Sequence, residues 1–122
     1  MADDDGDYPF RFGTAAGFVR INTGSTTMVR VWAIAAMGVP RSAKLLGELN
    51  DINVRNRSAW TTWSDGLVVV EQALVAKGLR RSALKQALNA VGHTADDIGP
   101  MIATVFGGET PFAATEVAEG AA

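Results

Sequence analysis

Three observations predict an α+β fold, a mainly antiparallel sheet with two helices packed on it in the order strands, helix, hairpin, helix. The apolar period switches from two to 3.6 after "GVP" (Gly38 to Pro40), an Asp65-Gly66 pair sits between two strand-like runs, and a second helical stripe begins near Arg80. At 122 residues the chain fits one domain around a single core. Its 48% apolar and 20% charged residues are the composition of an ordinary globular protein.

Residues 1–7 read as an acidic, mobile lead, residues 8–108 as the domain, and residues 109–122 as a flexible tail without a sustained apolar period. Phe10 to Ile21, "FRFGTAAGFVRI", combines aromatic and β-branched residues with Gly13 and Gly17. That composition predicts two short strands or one bent strand, since interior glycines mark turns and bulges. Asn22 to Thr26, "NTGST", is a turn. In the strand from Thr27 to Met37, Val29, Val31, Ala33 and Ala35 share one face, and Met28, Arg30, Trp32 and Ile34 share the other. Both faces are largely apolar, which predicts a central strand covered on at least part of both sides.

Ser42 is placed to cap a helix running to about Arg55, with Leu45, Leu49 and Ile52 as its apolar stripe. Asp65-Gly66 supplies the two positive-φ positions of a type I′ turn, so the flanking runs should form a hairpin, closed by Gly78. Leu84, Leu88, Val91, Ala95, Ile98, Ile102 and Val105 recur at steps of three and four and predict a long second helix. Gly99-Pro100 should kink it, Thr94 could recap its second half, and Gly107-Gly108 should end it.

The chemistry of an enzyme is missing. No cysteine is present, which removes disulfides and thiolate chemistry and fits a reducing cytoplasm. His93 is the single histidine, so no two-histidine metal site can form, and it reads as a solvent-side residue at the helix kink. Asp96 and Asp97 read as charged surface with some N-cap character, because adjacent helical residues point about 100° apart. "GSTT" at Gly24 to Thr27 lacks the lysine and following helix of a phosphate loop. No cofactor is expected. A net charge of −2 gives no reason to expect nucleic acid, and the longest nearly uncharged run, Val31 to Val39, is too short to span a bilayer.

Two groups of residues stand out. Trp60 and Trp63 have opposite parity on one strand, so one must leave the core; with Trp32 they are candidate interface residues, since tryptophan is enriched at protein contacts. Asn50 and Asn53 sit beside the stripe of the first helix, where asparagine is a mediocre helix former, and are either functional groups or structural pegs.

The runs "DDDGDYPFRFGTAAGFVRI", "VRVWAIAAMGVPRSAKLLGELNDIN", "SDGLVVVEQALVAKGL" and "LKQALNAVGHTADDIGPMIATVFGG" together resemble the YbjN-like family, relatives of type III secretion chaperones common in actinobacteria. The similarity spans about Asp5 to Gly108 and carries no catalytic motif. It implies a Leu-Asn-x-hydrophobic-Asn pattern on a helix, matched by Leu49, Asn50, Ile52 and Asn53, and so assigns both asparagines as pegs that bond a neighbouring strand or turn. It also implies binding of extended polypeptide and a capacity for homodimers. Relatives commonly carry a helix before the first strand; only seven residues precede Tyr8 here, so an apolar sheet face is expected to lie open.

The reading that follows is a non-enzymatic, cytoplasmic, chaperone-like module for a protein or peptide partner. The alternative is an accessory subunit built permanently into a larger assembly.

Overall fold

The computed structural model describes residues 7–113, so most of the expected acidic lead (1–6) and most of the expected tail (114–122) lie outside the described residues. Seven elements follow in order: β1 (Tyr8–Phe12), β2 (Ala15–Asn22), β3 (Met28–Ala36), α1 (Ala43–Arg55), β4 (Trp60–Ser64), β5 (Leu67–Val75) and α2 (Arg81–Phe106). The strands form one antiparallel sheet in the order β1-β2-β3-β5-β4, with β3 at its centre.

The turns follow from local chemistry. Gly13 takes φ 60° between β1 and β2, and Asp65 and Gly66 take φ 50° and 85°, the paired positive values a two-residue hairpin needs. Ser42 caps α1, its hydroxyl accepting the Leu45 N–H at 3.1 Å.

Both helices lie on one side of the sheet, its inner face. There Val29, Val31, Ala33 and Ala35 of β3 and Val68 and Val70 of β5 form a closed core with Leu45, Leu49 and Ile52 of α1 and Val91, Ala95, Ile98 and Ile102 of α2. Small residues let α2 approach closely. A Cβ on Gly99 would stand 2.4 Å from the Ala35 carbonyl oxygen, and one on Gly92 would meet the Phe12 ring at 2.5 Å.

α2 runs as one helix across Gly99-Pro100, with Gly99 packed on β3. Four expectations change. Thr94 is buried mid-helix and accepts a hydrogen bond from Asn56 Nδ2 at 2.9 Å, so it recaps nothing. Val105 is 63% exposed, and Phe106 packs toward the core in its place as the last turn passes the sheet edge. The chain also stays attached beyond Gly108. Glu109 and Met37 exchange backbone hydrogen bonds of 2.7 and 3.0 Å, and the Phe112 N–H donates to the Thr14 carbonyl at 3.1 Å. At the other end Asp7 is buried, its carboxylate held by the Arg20 guanidinium.

Candidate functional site

The period of two divides the outer face from the inner one. Phe18 stands opposite Trp32 across β2 and β3, Trp32 opposite Glu71 across β3 and β5, and Glu71 opposite Trp60 across β5 and β4. With Pro9 opposite Phe18, a single row, Pro9-Phe18-Trp32-Glu71-Trp60, crosses all five strands. Ala16, Ile34, Val69 and Thr62 form the next row on the same face. Among the described residues no helix covers this side.

The row partly covers itself. Phe18 and Trp32 stack with ring centroids 4.6 Å apart, and the Arg30 guanidinium lies 4.9 Å from the Trp32 centroid. Arg30 also donates to Glu71 through Nη2 at 2.9 Å and Nε at 3.3 Å, a fork-to-fork pair. Arg20 and Asp7 make a second such pair in the adjoining row. Trp60 is left 43% exposed. The Trp32 Nε1 is enclosed and has no acceptor among the described residues.

The three tryptophans therefore separate. Trp32 and Trp60 share the outer row, flanking Glu71. Trp63 turns to the inner face opposite Val68, packs against the core, and donates from Nε1 to the Val39 carbonyl at 2.8 Å. Its amphipathic ring is used for cohesion, on the face opposite Trp32 and Trp60.

The two asparagines separate as well. Asn53 grips the backbone of β4 at Thr61, accepting its N–H at 2.7 Å and donating to its C=O at 3.1 Å. A primary amide thus occupies both outward groups of an edge residue, as a sixth strand would, and blocks the edge there. Asn50 is exposed and makes no side-chain hydrogen bond among the described residues. The helical period gives the reason: Asn53 lies only about 40° around the helix from Leu49, whereas Asn50 lies about 100° away. Asn56, beyond the expected pair, is the second linking amide, through Thr94.

Asp96 has a structural role where a charged surface was expected. Its Oδ1 accepts both the Thr14 N–H and the Thr14 hydroxyl at 2.8 Å, tying α2 to the β1–β2 turn. His93 is exposed, as read from sequence, with its ring edge-on to Phe12 at 4.4 Å. A cleft of about 390 Å³ opens beside it between the end of α1 and α2, floored by Ile52 and Ile98 and rimmed by Arg55, Asn56, His93, Thr94 and Asp97. Its Thr94 hydroxyl is already engaged by Asn56, and no nucleophile–base pair is formed there. Among the described residues no group of three or more His, Asp or Glu is arranged to hold a metal ion, and no helix is long and apolar enough to cross a membrane.

Comparison with known proteins adds the family. The sequence model described as "T3SS (YopN, CesT) and YbjN peptide-binding chaperone 1" (TY-Chap1) matches residues 1–114. No curated protein matches significantly. Among solved structures the fold is similar to a chain of the "Crystal Structure of the ExsC-ExsE Complex", with TM-score 0.66 and 11% identity over 84% of this chain and 80% of that one.

Proposed function

As the chain belongs to the T3SS and YbjN peptide-binding chaperone family, we propose that it binds a protein or peptide partner through the outer face of its sheet. The observation that carries this reading is the five-strand row containing Phe18, Trp32 and Trp60, which no helix covers among the described residues. Uncovered apolar surface of this kind marks interaction sites, and exposed tryptophan supplies large contact area where water is expelled. The sheet offers the partner one flat surface and one edge of distinct character. On β4, Asn53 occupies the Thr61 backbone, so strand addition there is opposed, and docking across the face is favoured over extension of that edge.

Site-directed photo-crosslinking in the native source tests the proposal. A benzophenone side chain at Thr62, exposed on the outer face, should capture protein partners, while one at Lys85 on the exposed side of α2 should not. Equal capture at both positions would remove the outer face from the proposal. Many partners at low stoichiometry identify a chaperone-like binder, a single stoichiometric partner identifies an accessory subunit, and adducts between two copies identify a homodimer.

A further inference from the structure

We propose that the outer face selects a partner segment carrying a lysine or arginine flanked by apolar residues, with the cation seated on Trp60 and shared with Glu71; this rests on the docking face proposed above. Glu71 lies in register between Trp32 and Trp60, the residue directly opposite each of them. On its Trp32 flank the arrangement already operates within the chain: Arg30 lies over the Trp32 ring and donates to both carboxylate oxygens. On its Trp60 flank the same carboxylate meets a second indole, and among the described residues no cation lies over the Trp60 ring. The outer-face neighbours there are Thr62, Val69 and Ala73.

Physical chemistry then fixes the sign of the missing group. A carboxylate has about four acceptor sites, and Arg30 uses one on each oxygen, which leaves capacity for further donors. The face of an indole attracts cations and disfavours anions. An acidic side chain docked beside Trp60 would meet both the ring's negative face and the Glu71 charge. A purely apolar one would leave the remaining acceptor capacity of a carboxylate only 19% exposed to lose water without gaining a donor. The chain's formal charge of −2 favours a basic partner at longer range as well.

The test is an array of nine-residue peptides of random sequence, probed with the full chain and followed by titration of the tightest binders. Bound peptides should be enriched in lysine or arginine next to aliphatic or aromatic residues. Replacing that lysine by norleucine in the best peptide should weaken binding to the wild type about tenfold and binding to the E71Q variant less than about twofold. Should E71Q fail to fold, the lysine-to-norleucine comparison on the wild type still decides. Binding without basic enrichment, or a lysine effect that E71Q leaves intact, overturns the selection of a cation while the docking face stands. Binding of no peptide at all overturns both.

Discussion

The two faces of the sheet differ less in hydropathy than in how they are closed. The inner face is built from small and β-branched side chains, Val29, Val31, Ala33, Ala35, Val68 and Val70, and is sealed by helices that come close enough for Gly99 to touch the β3 backbone. The outer face is built from larger groups, Phe18, Arg30, Trp32, Glu71 and Trp60, with no helix over them among the described residues. Val69, between Ile34 and Thr62, is only 9% exposed even on this side. An apolar face can thus be kept from water by its own side chains.

If the inner face is closed by close packing, a single added side chain should disrupt it most. Gly99→Val drives carbon atoms into the Ala35 carbonyl and should cost about 3 kcal/mol, at the upper end for overpacking. Trp63→Ser, which empties space against the core and orphans the Val39 carbonyl, should cost a similar amount, about 3 kcal/mol. Urea denaturation checks both, and midpoints unchanged from the wild type would mean the helix–sheet contact is not what closes this face.

The next largest effect concerns the edge where the faces meet. Asn53→Leu strands the N–H and C=O of Thr61 and should cost about 2 kcal/mol, while Asn50→Leu should fall within about 0.5 kcal/mol. Equal losses would show that both asparagines act through helix propensity. Asp96→Asn keeps an acceptor for Thr14 but removes its charge, and should cost about 1 kcal/mol in the same assay.

These residues also show what a sequence can and cannot disclose. The strand parity of β3, the cap at Ser42 and the Asp65-Gly66 turn are local patterns, and each is readable from neighbours in the chain. The outer row is not. It joins Phe18, Trp32, Glu71 and Trp60 from four strands, and their alignment depends on the β3–β5 pairing, which skips β4. Parity could say that Trp60 and Trp63 part company, but only the position of the helices says which is outside. Asn53 and Asn50 looked alike because both border the stripe; the strand at Thr61 makes the difference. Asp96 is illegible for the same reason, since its partner Thr14 lies 82 residues away.

Trp60→Ser should have a small effect on stability, and it is the most informative about function. Trp60 lies on β4 three residues before Trp63 and is 43% exposed on the opposite face. Removing it leaves no enclosed cavity and no orphaned hydrogen bond, so urea denaturation should register a loss of no more than about 1 kcal/mol. Partner binding, measured by titrating the captured partner or the best peptide, should fall at least about tenfold, the loss typical of a contact tryptophan. Sedimentation over a range of concentrations should accompany it, to test whether a second copy of the chain occupies the row. A variant that loses self-association but keeps its partner would assign the outer face to the dimer. A variant that folds like the wild type and binds like it would leave the face apolar for reasons of the fold alone.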